Sequence, residues 1–188
     1  MMAHHHPPKR PVLRMMAALA LTALLVGLRQ GPPAPVAADA PATAFSAARA
    51  SAVLSTLLGE GVPHPCGSAA NGLVRDRIVA QLEAMSITPE VAPGTRMCEP
   101  TEGCCAVENI TAVIPGARAD RFVAIAAHYD SVDEGPGAGD DGAGIAAMLE
   151  AARALSAHPT PERSILLLFT DGEEMGLLGA KAFVRDDP

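Results

Sequence analysis

Three short polar clusters carry residue types that do chemistry together: His128-Tyr129-Asp130, Asp140-Asp141-Gly142 and Asp171-Gly172-Glu173-Glu174. Imidazole nitrogen and carboxylate oxygen both ligate zinc and similar divalent cations, whereas the same carboxylates gathered without a cation repel one another. Residues 128 and 130 are two apart on extended chain and point the same way. Asp130 can therefore take the second imidazole proton of His128 or stand just behind it. The glycine-rich stretch 135–139 lets the backbone bend ahead of Asp140, which can bridge two ions. Of the adjacent Glu173 and Glu174, one can coordinate metal while the other accepts a proton from activated water, a division that points to hydrolysis. Each cluster alone has a plainer explanation, as a surface His-x-Asp or as acidic residues capping a helix. Their joint placement at element ends favours the metal.

The elements that must position these clusters read as a mixed α/β chain. Residues 142–157 give the clearest helix, with Ile145, Met148, Leu149, Ala152 and Leu155 on one face and His158-Pro159 closing it. Two earlier helices are expected at 44–58 and 70–85, the second with Val74, Ile78, Leu82 and Met85 at helical spacing. Short strands are expected at 88–91, 107–114 and 122–127, the last two as neighbours across the Pro115-Gly116 turn. Residues 164–169 form an unbroken apolar strand, the pattern of a strand covered on both faces, so the sheet should lie between helix layers. A last helix begins over 176–184. The clusters then meet beyond the strand ends at one sheet edge, where open α/β sheets bind ligands.

With 188 residues, 49% hydrophobic and 19% charged, the chain can bury the core of one ordinary domain, and general disorder is excluded. Lys+Arg 14 against Asp+Glu 21 gives a net charge of -7 without a basic stripe, which excludes nucleic acid as a partner. A basic cytoplasmic tail over 1–14 precedes an uncharged apolar run at 15–28 and a Pro/Ala-rich linker at 29–43, the layout of an export signal. The run is shorter than the roughly 20 residues a bilayer-crossing helix needs, so a cleaved signal peptide and a retained signal anchor both stay open. Val36-Ala37-Ala38 offers a small-residue cleavage site. Residues 44–188 are expected outside the cytoplasm, secreted or anchored to a membrane through the N-terminal helix. Cys66, Cys98, Cys104 and Cys105 are even in number, so disulfides are expected, with a loop stapled around 98–105 and the connectivity open. His4, His5 and His6 receive no role, and Asn109-Ile110-Thr111 matches a glycosylation acceptor inside an expected strand.

The segments AHYDS (127–131), GPGAGDDGAGIAAMLEAARAL (135–155) and LLLFTDGEEMGLLGAKAFV (166–184) resemble metallopeptidase family 28, the di-zinc aminopeptidases and their membrane-anchored relatives. The resemblance implies a three-layer α/β/α domain with a mostly parallel mixed sheet, acting as a metal-dependent exopeptidase on peptide substrates. It implies that His128 ligates one zinc, Asp140 bridges two, Glu174 ligates the second, Glu173 is the general base and Asp130 supports His128. Asp141 follows at a peptide bond that is often cis in the family, and the loop 63–68 is similar to one in membrane-associated members. The family also uses a later Asp and a later His, one for each zinc. These 188 residues are therefore expected to be the N-terminal part of such a domain, binding zinc weakly and acting little alone. The fold is shared by glutaminyl cyclases, single-zinc enzymes, and by receptor-like relatives that have lost catalysis. The Asp140-Asp141 pair argues against a cyclase, where a small hydroxyl residue follows the aspartate. The intact His128, Asp140, Glu173 and Glu174 argue against a non-catalytic ectodomain.

Overall fold

The structure, a computed structural model, describes residues 9–29 and 34–186, so the first eight residues of the expected basic tail, His4 to His6 among them, lie outside the described residues. The chain forms two compact units, Met1–Ala34 and Pro35–Pro188. In the first, α1 (Lys9–Arg29) is a helix rich in Leu, Met and Ala, with Leu13, Met16, Leu19 and Leu24 exposed. Among the described residues no helix is long and apolar enough to cross a membrane.

The second unit opens with α2 (Ala47–Leu58) and α3 (Ala69–Ala84), each started by a serine whose hydroxyl accepts an amide of the first turn: Ser46 from Arg49 and Ser68 from Asn71. The Ser46 cap moves the first helix start from the expected 44 to 47, because a capping residue is held in extended geometry. Gly59, at φ 58, ends α2. There follow β1 (Pro89–Val91), β2 (Thr95–Glu99), β3 (Gly103–Val107), β4 (Ile110–Ile114), β5 (Arg118–His128), α4 (Ala143–Ser156), β6 (Arg163–Thr170) and α5 (Leu178–Asp186). The hairpin β2–β3 is separate from the main sheet, whose order is β1-β4-β6-β5.

The mixed α/β architecture and the preceding N-terminal helix agree with expectation. Mostly parallel pairing does not describe these strands: β1·β4 and β4·β6 are antiparallel and β5·β6 is parallel. Parallel neighbours need a crossover, and α4 supplies one between β5 and β6. Nor are β4 and β5 neighbours. The wholly apolar β6 takes the central position between them, with Leu166 opposite both Val113 and Ala124.

One core joins α2, α3 and α4 to a single face of the sheet through Leu57, Ile78, Leu82, Leu149, Leu167 and Phe169. Each such side chain contributes about 1.5–3 kcal/mol on burial. On the opposite face Val113 is 43% and Phe122 54% exposed, whereas Leu168, Ser164 and Thr170 of β6 are buried. A smaller core under the hairpin packs Cys105 and Val107 against Leu178 and Ala182 of α5.

Residues 36–46, largely assigned to linker by the sequence, are strapped to the domain. Glu150 on α4, 1% exposed, pairs with Arg49 at 3.0 Å and Arg153 at 2.7 Å and accepts the Ser46 amide. The two guanidinium groups then donate outward to the carbonyls of Ala38, Ala40, Ala42 and Ala44.

The cysteines form two disulfides, Cys66–Cys105 and Cys98–Cys104. The second staples the β2–β3 hairpin, and the first ties that hairpin to the loop 63–68. Asn109, which only matches the glycosylation acceptor pattern, is buried: its side chain donates to the Gly179 carbonyl and accepts the Asp171 amide.

Candidate metal centre

His128 is the last residue of β5 and stands opposite Thr170, the last residue of the parallel β6. The pairing continues one step through the Tyr129 amide to the Thr170 carbonyl, 3.0 Å. This register sets the end of β5 beside the turn that carries Glu173 and Glu174. The third contributor is the irregular turn Ala138–Gly142 before α4, entered through Gly137 at φ 61 and containing a cis Asp140-Asp141 peptide bond. A residue with a β-carbon at Gly137 would meet the Ser131 side chain at 2.9 Å, so only glycine fits both the conformation and the space.

Ligand atoms of His128, Asp140 and Glu174 lie within 4.8 Å of one another. The Nε2 of His128 is 3.1 Å from Asp140 Oδ1 and 3.7 Å from Glu173 Oε2. Its Nδ1 faces the other way, 3.2 Å from the Asp130 carbonyl and 3.5 Å from the Asp130 carboxylate. That contact fixes which ring nitrogen is presented to the site. The buried Asp130 carboxylate does more than the sequence reading gave it: it accepts the amides of Glu173 at 2.9 Å and Glu174 at 3.1 Å. One side chain thus aims the imidazole and the pair of glutamates together.

The plainer capping explanation applies to one aspartate of the pair. Asp141 Oδ1 accepts the Gly144 amide in the first turn of α4, whereas Asp140 turns toward His128 with 87% of its side chain exposed. The local field is that of a site short of positive charge. Burial lowers the His128 pKa, but hydrogen bonds to Asp130 and Asp140 outweigh it and push the imidazole up to about 9. Burial raises Glu174, and the neighbouring carboxylates of Asp140, Glu173 and Asp130 add to the rise against the opposing pull of His128. One imidazole with carboxylate oxygens is a donor set that fits zinc, and a bound cation relieves this crowding of like charge.

Asp171, grouped by sequence with the acidic cluster, stands apart from it. It is buried and accepts the amides of Gly172 and Glu108 and the side chain of Asn71. Burial, with the Asp130 charge adding to it, pushes its carboxyl up to about 6 against those hydrogen bonds. It also lies close to Cys66 and Cys105, but those sulfurs are bonded to each other and are not free to take a metal. A cavity of about 560 Å³ at the opposite end of the sheet is lined by one imidazole, His158, and one carboxylate, Glu90, and offers no comparable cluster. Ser131 and His64, both buried, are the residues near the site that sequence patterns did not single out for themselves. A serine ending AHYDS and a histidine among prolines carry no periodic or charge signal.

Residues 109–188 match the sequence profile of a family described as Peptidase family M28. A vacuolar membrane protease of Schizophyllum commune is 34% identical over 132 residues, an overlap of 65% of this chain and 15% of that protein. The chain therefore spans about 15% of the length of this curated relative. Among solved structures, a Zn-dependent exopeptidase from Parabacteroides distasonis superposes with a TM-score of 0.67 at 20% identity, covering 78% of this chain and 58% of that one. A glutaminyl cyclase from Porphyromonas gingivalis gives 0.64 at 24% identity, covering 76% and 54%. At these identities the structural likeness establishes the fold.

Proposed function

Because residues 109–188 match the sequence profile of peptidase family M28, we infer that the chain carries the metal centre of a zinc-dependent peptidase of the aminopeptidase type. The observation that carries this reading is the convergence of His128, Asp140 and Glu174 within 4.8 Å at the ends of β5 and β6 and the start of α4. His128, Asp140 and Glu174 would hold the metal, with the Asp140 carboxylate turned outward beside the His128 imidazole. Bound zinc supplies Lewis-acid charge that polarises a carbonyl and eases the deprotonation of water. Glu173, its carboxylate 3.7 Å from the His128 imidazole, accepts the proton of the attacking water and returns it to the leaving amine. Asp130 keeps both glutamates and the imidazole aimed while this happens.

The substrate is a peptide with a free N-terminus. Two disulfides suit an oxidising compartment, and the vacuolar membrane proteases among its relatives suit a membrane-associated one. We place the domain outside the cytoplasm, with α1 as signal or anchor. The likeness to a glutaminyl cyclase supports a second reading, single-zinc cyclisation of an N-terminal glutamine, against which the Asp140-Asp141 pair stands.

The test is zinc uptake by the purified protein, together with aminoacyl-anilide hydrolysis and glutaminyl-peptide cyclisation with and without chelator. His128→Ala and Glu174→Ala should each weaken zinc binding at least about tenfold. Glu173→Gln should remove the hydrolysis that the chain supports while leaving zinc content unchanged. Zinc uptake indifferent to His128→Ala overturns the metal centre, and cyclisation without hydrolysis selects the second reading.

A further inference from the structure

The loop between α2 and α3 touches all three segments that supply the candidate metal centre. At the end of β5, Ser131 and His64 are doubly bridged: the His64 amide donates to Ser131 Oγ at 2.8 Å, and the Ser131 amide donates to the His64 carbonyl at 3.3 Å. The Ser131 hydroxyl is free to accept because its own proton goes to the Val132 carbonyl. At the turn before Asp140, a β-carbon on Gly137 would lie 3.7 Å from Cε1 of the buried His64 ring. At the end of β6, one on Gly172 would lie 3.3 Å from Cys66 Sγ. Ser68, the last residue of the same loop, caps α3, and from its first turn Asn71 reaches the Asp171 carboxylate at 3.1 Å. The Cys66–Cys105 disulfide fixes the loop to β3, so these contacts share one covalently held support.

We propose that loop 63–68 is the positioning element of the metal centre: through His64, Ser131 and the Cys66–Cys105 bridge it sets the relative placement of His128, Asp140 and the Glu173-Glu174 turn. The inference rests on the metal reading, since it says what the loop positions. It assigns no contact with substrate to any loop residue. Held from one side by a single rigid support, three backbone segments of separate elements keep a fixed spacing, which is what a metal site with ligands on different elements requires.

The test begins without metal. Amide hydrogen exchange of the full chain is compared with Ser131→Ala and with Cys66→Ala/Cys105→Ala. The expected result is at least about tenfold faster exchange at the Glu173 and Glu174 amides, which donate to Asp130, and at the Gly142 amide, which donates to the Gly137 carbonyl. Leu149 and Ala152, inside α4, should keep their rates. Zinc affinity, read by competition with a chromophoric chelator, should fall about tenfold in the same variants. A Leu57→Val control of comparable melting temperature should change neither readout, which separates positioning from general destabilisation. Unchanged exchange at residues 142, 173 and 174 in folded Ser131→Ala overturns the inference and leaves the metal reading standing. If the unmodified chain takes up no zinc, the metal reading falls and the inference falls with it.

Discussion

Asp130 is the side chain on which most of the centre's geometry converges. Its two oxygens accept the adjacent amides of Glu173 and Glu174, and it backs the Nδ1 of His128. Asp130→Asn would turn an amide donor toward a backbone donor. A loss of about 1–3 kcal/mol is expected, visible in thermal melts, together with weaker zinc binding than in wild type. His128 gives a pH signature in the metal-free chain. Its folded pKa, about 9, lies above the ordinary 6.5, so the stability it confers is complete below pH 6.5 and is lost as pH rises through 9. In chelator, the melting temperature should fall between pH 6.5 and 9.5 by the equivalent of at most about 3 kcal/mol. His128→Gln should flatten that slope. A wild-type profile already flat over this range would show that Asp130 and Asp140 do not hold the proton on the ring.

Among the elements, α5 depends on a glycine for its seat. The Gly179 amide donates to the Asp171 carbonyl at 2.8 Å, and a β-carbon at 179 would sit 2.3 Å from that oxygen and 2.4 Å from Asn109 Oδ1. Gly179→Ala should therefore cost about 1–3 kcal/mol and disturb the Glu173-Glu174 turn as well as the helix, read as a lower melting temperature with weaker zinc binding. The helices were legible because their burial follows the 3.6 period: Val74, Ile78 and Leu82 on α3, and Ile145, Met148, Leu149 and Ala152 on α4, all reach the core. The strand ends that hold the candidate site were legible for a related reason, since acidic residues directly after apolar runs mark where a buried strand emerges. The β2–β3 hairpin was not. Met97, Cys98, Cys104 and Cys105 show no alternation, and the hairpin owes its place to sulfur bridges whose partners are set by folding. Strand order was hidden for the same kind of reason: the Pro115-Gly116 turn suggests adjacent strands, but which strand fills the gap between β4 and β5 is decided some 50 residues later in sequence.

At the scale of the whole molecule, the division into Met1–Ala34 and Pro35–Pro188 gives a direct prediction. A chain begun at Pro35 should melt within about 2 °C of the full chain. One begun at Ala47 loses the carbonyls that Arg49 and Arg153 hold around buried Glu150, and should melt roughly 5–10 °C lower by differential scanning calorimetry. The central place of β6 reaches further, into biosynthesis. Ribosomes deliver β4 and β5 first, with an empty lane between them and two raw edges facing it, and only when residues 163–170 emerge can the lane be filled. His128 and the two glutamates, which follow β6 by three and four residues, are then brought together in one late closing event. Until then a nascent chain offers sticky edges to its neighbours and lacks the glutamate turn that completes the centre, which makes the interval before β6 inserts one of aggregation hazard.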